Sequence, residues 1–182
     1  MPEIIVVLTR LLVPLYIMRR PFWGMMAAVA VDGFEMEFLK GLGIVFNHSS
    51  AINFETYQVR DKILDLYMSS IALYKSLDWG EILARKAAIF LYVWRFIGVV
   101  LFELSQIRPL LIFFPNVFEF FFLFVAYKML YQPDYRFGTA KRLALTILVL
   151  AIPKLVQEYI LHIRGAVDWA HFKYDVLGWP RL

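Results

Sequence analysis

An all-α, polytopic integral membrane protein is the fold class this sequence predicts, and three observations carry the prediction. Hydrophobic residues make up 61% of the chain and charged residues only 19%, well outside the usual soluble mix. The apolar residues gather in runs of about 20, the length at which a helix crosses a hydrocarbon core. Short polar or proline-bearing breaks separate the runs, leaving no stretch for a soluble domain. The 182 residues hold about six such spans with short connections. A single transmembrane domain over 1–182 is therefore expected, one bundle of six helices.

The spans fall near residues 4–19, 21–42, 57–78, 84–105, 108–131 and 140–163. The first opens the chain as MPEIIVVLTRLLVPLYIM, with no basic residue ahead of its apolar run and no small-residue cleavage site, so it reads as a helix and not as a removed signal peptide. Arg19-Arg20-Pro21 closes it. Asn47-His48-Ser49-Ser50 follows the second span, and Asp78-Trp79-Gly80 divides the third from the fourth. Gln106-Ile107-Arg108-Pro109 makes a short link to the fifth, where Pro115 removes a backbone hydrogen bond and kinks the helix. Gln132-Pro133-Asp134 opens the last loop. The tail, 165–182, mixes Trp169, Trp179, His171, Lys173 and Arg181 with apolar residues, as an interfacial segment does.

Lysine and arginine fall on both sides of the spans, so the positive-inside rule leaves orientation open. The net charge of +4 is modest and the basic residues form no stripe, which argues against nucleic acid as a partner and fits contact with anionic headgroups. Cysteine is absent. Disulfides, thiolate metal sites and a cysteine nucleophile are thereby excluded, and any metal must sit on oxygen or imidazole.

Against this background four carboxylates stand out: Asp32 and Glu35 in VAVDGFEM, and Asp61 and Asp65 in YQVRDKILDLYM. Each pair is spaced to share one helix face. A carboxylate at membrane depth needs a cation, a metal or a water-filled cavity. Alternatively these acids lie at headgroup level, solvated and paired with Lys40, Arg60 and Lys62. Arg10, in the first span, either snorkels to the interface or faces the acidic cluster.

The order and spacing of these residues resemble the CDP-alcohol phosphotransferase family, six-helix membrane enzymes with the signature D-x2-D-G-x2-A-R-x8-G-x3-D-x3-D. Asp32, Glu35, Met36, Leu39 and Lys40 fall on its first half without a gap; Tyr57, Asp61 and Asp65 fall on its second, after a stretch about eight residues longer than the pattern has. The resemblance covers roughly residues 8–75. It implies transfer of a phosphoryl-alcohol group from a CDP-linked donor to an alcohol in lipid biosynthesis, with CMP leaving. Asp32, Glu35, Asp61 and Asp65 would hold a divalent cation, Mg or Mn. Asp65 would be the base that deprotonates the attacking hydroxyl, and Lys40 would bind phosphate. Met36 and Tyr57 stand where the family has glycine, which motivates an alternative: a catalytically inactive relative serving as a membrane-complex subunit or lipid-binding protein.

A second polar set lies within the fourth and fifth spans: Arg95 in FLYVWRFIGVV, and Asn116 with Glu119 in FFPNVFEFFF. The expected arrangement is a structural lock between Arg95 and Glu119, with Asn116 on the same face; Arg95 could instead bind a substrate phosphate. Lys154, Glu158 and His162 form one stripe on the sixth span, read as an interfacial charged face, and His48 is read as solvent-exposed. The phenylalanine run 118–124 is expected to pack or meet lipid. An ion or proton conductor built on Arg95, Asn116, Glu119 and the acidic pairs is a third reading, without a filter motif to support it. The expected partners are membrane lipids, a CDP-linked donor, an alcohol acceptor, and a second copy or larger membrane complex.

Overall fold

The computed structural model describes the chain over residues 2–41, 54–107 and 110–159, and among the described residues every regular element is helical. Helix α1 (Pro2–Leu12) begins on a proline, whose missing N–H is no loss in a first turn. Pro14 cannot continue the α-helical ladder, and the chain tightens into a 3-10 segment, Val13–Met18. The backbone N–H groups of Arg19 and Arg20 both donate to the Tyr16 carbonyl, at 3.1 and 2.9 Å. That turn delivers Pro21 to the first position of α2 (Pro21–Gly41).

Gly24 makes this corner possible. A Cβ placed there would overlap the backbone of Tyr16 and Ile17, so the 3-10 segment and α2 pack backbone against backbone, with Ile17 and Met25 wholly buried. Neither backbone can rotate away as a side chain can. Gly24→Ala is expected to lower stability by about 2 kcal/mol or more through overpacking, read as a fall in melting temperature in detergent.

Helix α3 (Phe54–Ser76) buries Leu64, Met68 and Ala72, a spacing of four that draws one stripe down its core face. The chain then turns through Asp78, and Trp79 buries its ring against Phe122 at 5.4 Å. Helix α4 (Ile82–Ser105) is capped at both ends. The Glu81 carboxylate accepts the Ala84 N–H at 2.7 Å, and Gln106, left-handed at φ 56°, donates its N–H to the Phe102 carbonyl at 2.7 Å. Ala84, Ala88, Leu91, Arg95, Val99 and Phe102 form its buried stripe.

The expected fifth helix, 108–131, is divided. A single turn, α5 (Leu110–Phe113), stops before Pro115, and α6 (Val117–Tyr131) restarts after it as a 15-residue helix. The break is the physical consequence of Pro115, which has no N–H to donate. Helix α6 buries Phe118, Phe121, Phe122, Val125 and Ala126. Helix α7 (Ala140–Tyr159) tolerates Pro153 in its interior.

The described chain is organised as two compact units. One takes the described residues up to Gly80 together with Phe122–Tyr135, the other the described residues of Glu81–Phe121 and those from Arg136 onward. Among the described helices α4, with 24 residues, is long and apolar enough to cross a membrane, and Ile4–Met18 is apolar but shorter. The interfacial tail expected at 165–182 and the loop containing His48 lie outside the described residues.

Candidate functional site

The acidic residues and Arg10 meet in the first unit. Asp61 and Asp65 are one turn apart on α3, so their side chains leave the same face. Asp32, from the middle of α2, reaches the same point, and one carboxylate oxygen from each of the three lies within 4.8 Å of the others. Glu35 and Lys40 share α2 with Asp32, but their side chains lie outside the described residues.

Arg10 fills the space between the three acids. Its Nη2 lies 2.5 Å from Asp32 Oδ1 and 2.8 Å from Asp65 Oδ1, and its Nη1 lies 2.7 Å from Asp61 Oδ1. Of the two alternatives left open by the sequence, snorkelling or facing the acids, the structure has the second. The guanidinium is 5% exposed, whereas Asp32 keeps 36% of its side chain in contact with solvent. Lys62 adds a weaker contact at 3.7 Å to the outer oxygen of Asp61. Tyr67 donates its hydroxyl to the Leu11 carbonyl at 3.0 Å, tying α3 to α1 beside the cluster. One planar cation with several donors thus serves three carboxylates from two helices, a task suited to arginine and not to a point-charge lysine.

Three carboxylate oxygens this close form a donor set that a hard divalent cation can use. The guanidinium contacts one oxygen of each of these same carboxylates, so it and a metal compete for the trio. The cavity beside Arg10 and Asp32, walled by Pro14, Ala28, Leu64 and Met68, has a volume of about 10 Å³, enough for about one water.

The second polar set lies in the other unit and is paired differently from the expected Arg95–Glu119 lock. Arg95 Nη1 donates to the Phe114 carbonyl at 2.9 Å, and Trp94 Nε1 donates to the Phe113 carbonyl at 3.1 Å. Both acceptors are carbonyls released by the break at Pro115, so α4 supplies the donors that α5 lacks at its end. Glu119 accepts from Asn116 Nδ2 at 2.5 Å and lies 3.6 Å from Lys154 Nζ. Its place in the first turn of α6 also suits an acid, since the helix dipole is positive there. Arg95 is only 3% exposed, which leaves a phosphate no approach to it in this arrangement.

Lys154 is the residue whose surroundings depart most from the sequence reading. Expected on an interfacial charged face, it is 12% exposed beside Glu119, with its ammonium 5.9 Å from the Phe120 ring centre. Its position in ILVLAIPKLV, alone among apolar residues, was the available signal. Of its two stripe companions, the Glu158 side chain and His162 lie outside the described residues. Comparison with protein-family models, with curated proteins and with solved structures finds no match for this chain.

Proposed function

We propose that this chain is a multi-pass membrane protein and a divalent-metal-dependent transferase, moving a phosphoryl-alcohol group from a CDP-linked donor to an alcohol in lipid biosynthesis. The observation that carries the enzymatic part is the convergence of Asp32 with Asp61 and Asp65 from two helices. A bound divalent cation would stabilise charge developing on the pyrophosphate oxygens of the donor. Asp32 and Asp61 would hold it, with Glu35 completing the set implied by the family resemblance. Asp65 would accept the proton of the attacking hydroxyl, and Lys40 would meet a phosphate.

The membrane part is supported by what the helices leave uncovered. Ile4, Leu8 and Leu12 on α1, Phe90, Phe96, Ile97 and Leu104 on α4, and Leu145, Leu148 and Ile152 on α7 are all exposed. Leu104 reaches 81% and Leu148 65%. Whole helix faces of large aliphatic and aromatic residues match a lipid environment and not an aqueous one. The test of the enzymatic part is CMP release from CDP-linked donors by protein reconstituted in vesicles, across a panel of alcohols. Release that needs Mg or Mn and stops on chelation is expected; release unaffected by chelation would overturn the metal role.

One observation favours a second reading. Arg10 already neutralises much of the acidic trio, so the cluster is also suited to be a permanent ion lock in a relative that has lost catalysis and serves as a lipid-binding protein or complex subunit. Gly33 separates the two readings. It lies inside α2 next to Asp32, and among the described residues a Cβ there would meet nothing within 4 Å. Helix propensity alone gives Gly33→Ala a gain of about 0.5–1 kcal/mol. If a ligand must approach that backbone, the same variant melts higher yet loses CMP release. If the acids are only a lock, the wild type already releases no CMP, and the variant only melts higher.

A further inference from the structure

A second cavity lies in the first unit, where the 3-10 segment turns into α2. Its volume is about 360 Å³, within the range of small-ligand sites. Arg19 and Arg20 stand on one side, and Lys75 and Asp78 on another. The apolar wall comes from Phe22, Trp23, Ala126, Met129 and Leu130, with Trp79 behind. We propose that this cavity binds one anionic phospholipid, its phosphate on Arg19 and Arg20 and the upper part of its acyl chains along Trp23, Met129 and Leu130.

The charge inventory selects the headgroup. Three cations and one acid line the cavity. Lys75 is already committed to Asp78, with Nζ 2.9 Å from Oδ2. Among the described residues no acid pairs with Arg19 or Arg20, and both are exposed. Two adjacent guanidinium groups present the donors that a phosphate accepts bidentately. They immediately precede α2, a 21-residue helix, so the positive end of its dipole adds to theirs. Pro21 and Gly24 fix the corner that puts them there.

The apolar side selects a lipid and not a soluble phosphate. Trp23 is 52% exposed and stacks edge-on with Phe22 at 5.1 Å. Phe22 in turn meets Tyr127 of α6 at 5.6 Å. Tryptophan and tyrosine beside arginine is the composition of a membrane-water boundary. Leu130 in the same wall is exposed as well, and with Trp23 it makes a surface that a free phosphate would leave uncovered. The site is also distinct from the acidic trio: Asp32 stands eleven residues beyond Pro21 on α2, about 16 Å along the axis at 1.5 Å per residue.

The proposal rests on the membrane part of the functional reading but not on catalysis. The experiment uses the full chain, purified in detergent and stripped of lipid. Native mass spectrometry would follow binding of dioleoyl phosphatidic acid, dioleoyl phosphatidylcholine and glycerol phosphate to the wild type, to R19Q/R20Q and to R85Q/K86Q. One tightly held phosphatidic acid is expected in the wild type and in R85Q/K86Q. Affinity should fall roughly twenty-five-fold in R19Q/R20Q, at about fivefold per basic side chain. Equal binding of phosphatidylcholine would overturn the charge argument, and binding of glycerol phosphate as tight as that of the lipid would overturn the lipid as occupant. Should R19Q/R20Q fail to fold, quenching of wild-type tryptophan emission by brominated phosphatidic acid, in excess of that by brominated phosphatidylcholine, is the deciding measurement; no excess sinks the proposal. A protein that stays monodisperse without detergent would defeat the membrane reading itself. One that needs detergent yet shows no lipid preference defeats this site alone.

Discussion

Replacing Arg10 with methionine is expected to produce the largest loss of stability of any single change in the first unit, and to make that stability depend on divalent cations. Methionine keeps much of the length and apolar stem but removes the donors that reach Asp32, Asp61 and Asp65. Three carboxylates within 4.8 Å of one another then repel with no cation between them. Breaking a buried ion pair from one side costs about 3–5 kcal/mol. The lower figure applies here, because Asp32 keeps 36% of its side chain exposed and solvent screens part of the repulsion. The variant also frees the oxygens that a metal would use. Added Mg or Mn should therefore restore the melting temperature of R10M far more than it raises that of the wild type, by about 2.7 kcal/mol at a hundredfold excess over Kd. A variant that melts low and ignores divalent cations would show that these acids hold no metal. A variant that melts with the wild type would show that the cluster contributes nothing to the fold.

The helices were largely legible because their signals are local. Pro21 and the run after it mark α2, and Ile82–Ser105 differs from the expected 84–105 by a fraction of a turn. Asp61 and Asp65 share a face through helical period alone, and the break at Pro115 follows from its missing N–H. The convergence of Asp32 on that pair could be suggested only by resemblance to a signature, since no periodicity links α2 to α3. The pairing of charges was less legible still. Glu119 was expected to pair with Arg95, and Lys154, expected at an interfacial face, is the cation brought near it. Arg95 went to the Phe114 carbonyl because a helix end needed a donor, a demand that exists only once the Pro115 break has formed. Arg10 had two readings that differ by the rotation of α1, which its own sequence does not set.

Asp65→Asn and Asp61→Asn are expected to fail in different ways, and the difference assigns the base. Both substitutions keep a carbonyl-type oxygen for the Arg10 guanidinium, so both variants should fold. Each loses one negative charge. If Asp61 is a metal ligand only, D61N weakens the metal, and raising Mg or Mn recovers a large part of CMP release. If Asp65 takes the proton from the attacking hydroxyl, D65N lacks the acceptor itself, and activity falls by roughly 10²–10⁴-fold and stays low at saturating metal. Asp65 is placed for such a role: it is the less exposed of the α3 pair, at 15% against 24% for Asp61, where fewer waters compete for the proton. Arg10 holds one of its oxygens at 2.8 Å, which fixes the carboxylate on the face that Asp61 and Asp32 share. Equal recovery of both variants by metal would make Asp65 a ligand and leave the base unassigned among these residues. Full activity in D65N without added metal would remove Asp65 from the reaction, and with it the reason to place the acceptor hydroxyl on the α3 side of the cluster.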